Sequence, residues 1–370
     1  MDDVLLAVGT QKGLFLGRRQ PASGGSGGRR WEFTGPHFPM QAVYSVGIDT
    51  RRDVPRLLVG ADSSHWGPSV FRSDDLGGSW HEPPRPAVRF PEDTGTSLER
   101  VWQLHPAGPA APGVVYAGTQ PGALFRSEDD GETFTLVRSL WDHPQRPEWE
   151  AGFGGQAVHT VVTHPEDADT VTVAVSTGGV YRSRDGGASW APANAGVQAT
   201  FLPEEQRFPE FGQCVHKIAQ DAADPDRLYL QNHGGVYRSD DSGARWTGIG
   251  GGLPADFGFA VAAHKHRGDV AYVFPLSADA HRMPPDYRCR VFRTEDAGAS
   301  WSPLSEGLPD APSYGVVLRD AMCTDDAEPG GVYFGNRNGE VYASADQGDS
   351  WRLAVSHLPD VLCVRAAVVG

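Results

Sequence analysis

Short apolar runs, separated by polar turn residues, follow one another along most of the chain. In the first third, the runs Ala42 to Asp49 and Arg56 to Ala61 precede a third run, Val70-Phe71-Arg72, and a polar segment that contains glycine follows. Runs of this length bounded by turn residues predict β-strands. The same order recurs down the chain, and it predicts four strands in each repeat.

The polar segment is a motif that occurs six times, at steps of 50 to 56 residues. Its first copy reads Ser73-x-Asp75-x-Gly77-x-Ser79-Trp80. The carboxylate can cap turn amides, the glycine can adopt a positive φ, and the closing Trp or Phe is large enough to be buried between neighbouring sheets. We therefore predict that the motif is structural. Its six aspartates are Asp75, Asp129, Asp185, Asp241, Asp296 and Asp346.

A period of about 50 residues is typical of the blades of a propeller or the units of a solenoid. The motif resembles the Asp-box, or BNR repeat, of sialidases, xyloglucanase-type glycosidases, sortilin-like receptors and photosystem assembly factors. The resemblance covers nearly the whole chain and implies a β-propeller. It also implies that the motif lies on the turn between the third and fourth strands of each blade, away from an active site, so we give the six aspartates no catalytic role.

The innermost strands predict how the ring closes. They align on Tyr44, Trp102, His159, His216, Phe259, Tyr314 and Leu362. The run at Leu362 ends the chain without a motif after it, and its outer strands are predicted at Val4 to Val8, Gly13 to Leu16 and Arg30 to Phe33, with a degenerate motif in Pro21 to Gly28. Pairing the two ends removes exposed sheet edges. We predict an all-β, seven-bladed propeller with four-stranded blades, as a single domain over residues 1–370.

Composition and charge narrow the choice of partners. The 46 glycines and 29 prolines suit many short strands joined by turns, and the formal net charge of −15 disfavours nucleic acid and anionic membranes as partners. The four cysteines are far apart in the sequence, which favours reduced thiols. Two acids near the N-terminus, Asp2 and Asp3, stand where a signal peptide carries positive charge. We expect a soluble cytoplasmic protein.

Long loops predict a site on the face opposite the motifs. The connections 81–97, 137–155 and 191–213, with insertions at 62–67 and 276–288, are rich in aromatic and acidic residues. Aromatic rings beside hydrogen-bonding groups suit a sugar ring or another flat, polar ligand. The predicted ligand-binding residues are His37, Tyr44, His65, Trp66, Trp102, His159, His216, Phe259, His281, Tyr287 and Tyr314. The candidates for a catalytic role are His159, His216, Glu99 and Glu150.

The aligned aromatic positions have two interpretations. They form either the floor of a central pocket or an aromatic layer packed between blades. His159 and His216 occupy equivalent places in consecutive blades and need hydrogen-bond partners in either case. A metal site would require a third ligand, for which His37, His65, His105, His264 and His281 are the donors considered, but none has a close ligand spacing. We predict no bound metal and no cofactor.

Two classes of function stay open at this stage. Glycoside hydrolysis requires two carboxyl groups, which the loops supply, whereas a rigid ring of loops suits binding or assembly without chemistry. A sialidase is disfavoured because the resemblance implies an early Arg-Ile-Pro and three inner arginines, and the nearest match is Arg282-Met283-Pro284 in a late insertion. Xyloglucanase-type enzymes resemble two such propellers, and this chain has one. We predict binding of a small polar or carbohydrate-like ligand, with glycosidase-like hydrolysis or a protein partner on a scaffold as alternatives.

Overall fold

The computed structural model describes residues 3–19, 30–152 and 154–369, and these form seven antiparallel sheets. The sheets are the blades of a closed β-propeller, numbered here from the N-terminus, so the predicted fold is confirmed. The predicted degenerate motif at Pro21 to Gly28 lies outside the described residues.

The strands are short and follow the chain from blade to blade. Blades one to four contain β1 (Val4–Thr10), β2 (Gly13–Arg19) and β3 (Trp31–His37); β4 (Ala42–Asp49), β5 (Arg56–Ser63) and β6 (Gly67–Ser73); β7 (Arg100–Pro106), β8 (Val115–Gln120), β9 (Ala123–Ser127) and β10 (Thr135–Leu136); and β11 (Val158–Thr163), β12 (Thr170–Val175), β13 (Gly179–Arg184) and β14 (Ala191–Pro192).

Blades five to seven have the same four-strand order. They contain β15 (Val215–Gln220), β16 (Leu228–Asn232), β17 (Gly235–Ser239) and β18 (Thr247–Gly248); β19 (Gly258–Ala263), β20 (Ala271–Pro275), β21 (Val291–Thr294) and β22 (Ser302–Leu304); and β23 (Met322–Thr324), β24 (Val332–Gly335), β25 (Val341–Ser344) and β26 (Arg352–Val355). The last strand, β27 (Val361–Val368), returns to blade one.

The two ends of the chain close the ring. Strand β27 pairs antiparallel with β1, with Val4 opposite Val368 and Val8 opposite Val364. The side chains of Leu5 and Leu6 are completely buried, since β1 lies between β27 and β2 inside the sheet. The predicted pairing of the C-terminal strand with the N-terminal strands is therefore confirmed.

Two blades differ from the predicted pattern. In blade two the fourth strand is reduced to one bridge between Arg72 and His81, because Pro83 and Pro84 follow and cannot donate to a ladder. In blade seven the predicted inner run at Tyr314 is wrong: no strand forms there, and β23 begins only at Met322. The four-residue β24 supplies partners for Met322 to Thr324, and its last residue, Gly335, already donates its amide to the Ala321 carbonyl.

Each of the six repeated turns is held by hydrogen bonds within the turn, and five of them share the full set; the turn at Asp241 has Arg245 in place of the last hydroxyl donor. In the first, Ser73 Oγ donates to Asp75 Oδ1 (2.7 Å), the Gly77 amide donates to Ser73 Oγ (2.8 Å) and Ser79 Oγ donates to Asp75 Oδ2 (2.6 Å). Gly77 has φ +92°, which favours glycine. These bonds lower the pKa of Asp75 to about 2, with the Ser79 hydroxyl as the main cause.

The closing tryptophans join neighbouring blades. Trp246 Nε1 donates to the Ala193 carbonyl of the preceding blade (2.9 Å), and Trp301 Nε1 donates to the Ile249 carbonyl in the same way (2.7 Å). Both indoles are at least nine-tenths buried. The hydrophobic core likewise runs between sheets, as where Leu58 of β5 packs with residues of blade three. The motif therefore ends a hairpin and packs blade against blade.

Helices are few and short. The described residues contain one α-helix, α1 (Arg138–Trp141), and four 3-10 turns, Glu92–Thr94, Arg146–Glu148, Glu204–Gln206 and Pro285–Tyr287. None of the helices in the described ranges is long and apolar enough to span a bilayer. All lie in the loops between strands.

Candidate functional site

A cavity of about 440 Å³ lies at the centre of the ring, within the size range of small-molecule sites. Every blade contributes to its wall. The lining residues are Tyr44, Trp102, Glu150, Gly152, Gly154, Ser176, Thr177, Phe201, Cys214, Val215, His216, His233, Phe259, Asp279, Arg282, Leu318, Arg319, Asp320 and Leu362.

β-Bulges aim side chains into this cavity. Near the beginning of most inner strands the pairing register shifts, which leaves an additional residue on that strand and turns its side chain. The residues at these shifts are Tyr44, Trp102, His159, His216, Phe259 with Ala260, and Leu362. Apart from blade seven, they are the positions on which the sequence repeats align. Five of them line the cavity, and His159 and Ala260 do not.

The repeated turns lie at the other end of the blades. Each inner strand runs away from the cavity after its bulge, the second strand returns, and the third leads to the turn on the far side. No described residue of the six turns lines the cavity. The site and the motifs are therefore on opposite faces.

Trp102 and Tyr44 form a rigid aromatic wall. Their ring centroids are 5.0 Å apart, and the Arg100 guanidinium lies over the Tyr44 ring at 3.9 Å. Trp102 Nε1 donates to Gln120 Oε1 (3.1 Å), and the Arg319 guanidinium lies 5.1 Å from the indole. Cation–π contacts and one hydrogen bond thus fix the orientation of the indole.

His216 and His159 occupy different environments. His216 lines the cavity, its Nδ1 donates to the Gly258 carbonyl at 2.5 Å, and burial lowers its pKa to about 3, so the ring is neutral. His159 is completely buried, lies within hydrogen-bond distance of Thr160 Oγ1 (3.1 Å), and has a pKa far below the usual value because of burial. Of the two histidines, His216 alone is placed to meet a ligand.

Asp320 is the most constrained carboxylate of the cavity. Lys217 Nζ donates to its Oδ1 at 2.7 Å, and Arg365 forms a second ion pair with the same oxygen. Burial opposes ionisation, but these two cations hold the pKa of Asp320 below its usual value. The other oxygen, Oδ2, has no hydrogen-bond partner among the described residues. This is unusual for a buried carboxylate, since the whole residue is only 2% exposed. An ionised oxygen is therefore buried at the cavity without a partner.

Two further carboxyl groups reach the cavity, and one predicted candidate does not. Asp279 pairs with Arg282 Nη2 at 2.6 Å, whereas the exposed Glu150 side chain has no ion-pair partner in the described part of the chain. Glu99 lies outside and accepts a hydrogen bond from Gln120 Nε2 (2.8 Å), the residue that holds Trp102.

The chain resembles known carbohydrate-degrading enzymes in sequence. It is 26% identical over 208 residues to the oligoxyloglucan-reducing end-specific xyloglucanase of Emericella nidulans, covering 54% of this chain and 24% of that enzyme. It is 23% identical over 265 residues to xyloglucanase Xgh74A of Acetivibrio thermocellus, covering 62% and 29%. In sequence, this propeller is similar to xyloglucanases.

Solved structures share the fold. An ancestral GH74 enzyme superimposes with a TM-score of 0.55 at 17% identity, covering 84% of this chain and 38% of that one. YCF48 from Cyanidioschyzon merolae superimposes with a TM-score of 0.50 at 12% identity, covering 85% and 84%. No family model matches the chain. The chain spans about a quarter to a third of the length of the curated xyloglucanases that it matches.

The remaining predicted ligand residues lie away from the cavity wall. His37 accepts a hydrogen bond from Trp80 Nε1 (3.1 Å) beside a repeated turn. Tyr287 and Tyr314 contact each other at 5.5 Å and are about half exposed. The side chains of His65, Trp66 and His281 are exposed in the loops between the second and third strands of blades two and six, and Trp66 is 91% exposed. A ligand that extends beyond the cavity is needed for these loop residues to contact it, and their role stays a prediction.

Sequence reasoning missed several lining residues. Arg319 and Asp320 precede the late-starting β23, so the alignment on Tyr314 hid them. Asp279 lies in a single-copy insertion that no repeat marks. His233 lies in a repeated turn, at the position that Thr177 occupies in the preceding blade, and alignment of these turns could have found it. The spacing Cys214-x-His216 was the one signal in the sequence that could have placed a cysteine beside the cavity.

Proposed function

We propose that this chain is a glycosidase-like propeller that binds one or two sugar units of a neutral glycoside in the central cavity. The observation that carries the proposal is the pairing of an aromatic wall, Trp102 and Tyr44, with the buried oxygen of Asp320 that lacks a partner. A sugar ring presents an apolar face for stacking and hydroxyl donors for a carboxylate. The similarity to xyloglucanases supports this class of ligand.

The charges at the cavity wall nearly balance. The lining contains the carboxylates of Glu150, Asp279 and Asp320 and two guanidinium groups, and Lys217 and Arg365 both form ion pairs with Asp320. The hydroxyls of a neutral sugar can donate to these carboxylates without adding a charge to the cavity.

Hydrolysis would require two carboxyl groups with different roles, one as acid and one as base or nucleophile. Glycosidases commonly use one ionised carboxylate and one protonated acid on either side of the scissile bond. Asp320, held ionised by Lys217 and Arg365, suits the role of base or nucleophile. The second carboxyl group would be that of Glu150, whose exposed side chain lines the same cavity.

Binding is tested by titrating the protein with xyloglucan oligosaccharides and cellobiose, using isothermal calorimetry. We expect Trp102→Ala to weaken binding about fivefold or more, because stacking of this size contributes about 1 kcal/mol. Phe208→Ala, which removes an aromatic ring that is 62% exposed and outside the cavity, is the matched control. Equal losses in both variants, or no sugar binding by the unmodified chain, would contradict the proposal.

Hydrolysis is tested separately by measuring release of reducing ends from the same oligosaccharides. Glu150→Gln is expected to abolish turnover while keeping sugar affinity, since the amide retains the shape but cannot donate a carboxyl proton. Binding without turnover in the unmodified chain would restrict the function to recognition. The assembly scaffold stays an alternative prediction.

A further inference from the structure

Three metal-ligating side chains meet on one side of the cavity, in blade five. Cys214 Sγ, a ring nitrogen of His216 and a ring nitrogen of His233 all lie within 4.8 Å of one another. Cys214 Sγ and His216 Nε2 are already 3.6 Å apart. All three residues line the cavity.

The local fold explains why these residues converge. Cys214 and His216 flank Val215 at the beginning of β15, where the bulge turns His216 toward the cavity. His233 lies in the two-residue turn between β16 and β17, and its amide donates to the Cys214 carbonyl at 2.9 Å. That backbone bond holds the turn against the beginning of the inner strand. The three side chains therefore come from backbone that is fixed in place.

The hydrogen bond that His216 makes through Nδ1 leaves the lone pair of Nε2 able to bind a metal. Because Nδ1 donates its proton to the Gly258 carbonyl, Nε2 carries the lone pair, and Nε2 is the atom that faces Cys214. Metal-binding histidines usually donate their second ring nitrogen to a carbonyl or carboxylate in this way. The aromatic ring of Phe257, with its centroid 5.6 Å from that of His216 and 5.2 Å from that of His233, packs against both imidazoles as an apolar neighbour.

We propose that Cys214, His216 and His233 bind a zinc ion at the cavity wall. Thiolate and imidazole are ligands that zinc favours, and bond lengths of about 2.0–2.3 Å put tetrahedral ligand atoms about 3.3–3.7 Å apart. The Cys214–His216 pair has this separation, and rotation of the half-buried His233 ring brings in the third donor. Three protein ligands leave the fourth position open, and it faces the cavity.

An open fourth position gives the ion access to a cavity ligand. Zinc sites with three protein ligands keep a water or substrate oxygen in the fourth place, whereas structural sites are closed by four. Asp279, which also lines the cavity, partly offsets the positive charge of the nearby Arg319 and Arg282. The ion would therefore contact an oxygen of whatever occupies the cavity.

The test measures zinc on the full chain after dialysis against a chelator. Competition with a chromophoric chelator gives stoichiometry and affinity, and cobalt replacement gives the absorption bands of a tetrahedral thiolate site. The variants are Cys214→Ser and His233→Ala, which spare the deeply buried His216. The matched controls are Cys323→Ser, another half-buried cysteine, and His81→Ala, an exposed histidine outside the cavity.

We expect one zinc per chain, with affinity lowered more than about tenfold in each ligand variant, since changes outside the ligand shell alone cost about that much. Both controls should bind as the unmodified chain does. No stoichiometric binding, affinity unchanged in the ligand variants, or equal losses in the controls would overturn the site. Sugar titrations use metal-free protein, so failure of this proposal and failure of the proposed function remain distinguishable.

Discussion

At the scale of single residues, hydrogen bonding and burial decide which carboxylates and imidazoles keep their usual chemistry. Five of the six turn aspartates are exposed and Asp346 is half-buried, and hydrogen-bond donors converge on all of them. In the turn at Asp185 these donors, led by the Ser189 hydroxyl, lower the pKa of the aspartate to about 2. Asp320 reaches the same ionised state by a different route, through Lys217 and Arg365. The turn aspartates and the cavity aspartate therefore differ in their partners: hydroxyl and amide donors in the turns, and two cations at Asp320.

Asp75→Asn should lower the melting temperature at pH 7 by an amount on the order of a few degrees, because Ser73 and Ser79 lose a carboxylate acceptor. The pKa of Asp75 is lower in the folded state, so its stabilising effect is present above the usual value near 4 and is lost as the pH falls toward about 2. The difference between variant and unmodified chain should shrink across that window. Thermal unfolding between pH 7 and pH 3 measures it.

The control for this prediction is Asp53→Asn, in the exposed turn after β4, which should change little at any of these pH values. A difference between Asp75→Asn and the unmodified chain that stays constant down to pH 3 would show that the carboxylate has no lowered pKa in the folded protein.

At the scale of the strand, the β-bulges explain why residues at aligned sequence positions line the same cavity. The inner strands and their aligned first positions were predictable because apolar runs repeat with the turns, and Tyr44, Trp102, His216 and Phe259 were identified in this way. The same alignment failed at Tyr314, because hydrophobic pattern alone cannot reveal that β24 is too short to pair there. Asp279, a cavity residue in a unique loop, gave no repeated signal.

Strand β27 closes the ring by pairing with β1, so a chain that ends at Pro359 and lacks this strand should lose cooperative unfolding. The strand buries Val361, Leu362, Cys363 and Val364. Burial of large apolar side chains contributes about 1.5–3 kcal/mol each, and the total approaches the roughly 5–15 kcal/mol that stabilises a whole domain. Thermal and urea unfolding measure the effect.

A chain ending at Val369 is the control for this truncation, since it retains β27 and should melt as the unmodified chain does. If the chain ending at Pro359 kept the full melting temperature, blade one would not depend on the C-terminal strand, and the circular pairing would be wrong.

At the scale of the whole molecule, the ring separates the repeated turns from the central cavity. The repeated turns and their tryptophans join blades on one face, and the bulges and unique loops form the cavity on the other. Fold and number of blades could be predicted because they depend on features repeated along the chain. The charged part of the cavity could not, because Lys217, Asp320 and Arg365 are brought together from three blades only by closure.

The most direct measurement is a crystal structure of the protein with a bound xyloglucan oligosaccharide. We predict a sugar ring stacked on Trp102, with a hydroxyl donating to Asp320 Oδ2 in the central cavity. A sugar bound instead among the repeated turns, or density for the oligosaccharide nowhere near Trp102 and Asp320, would contradict the assignment of the cavity as the site.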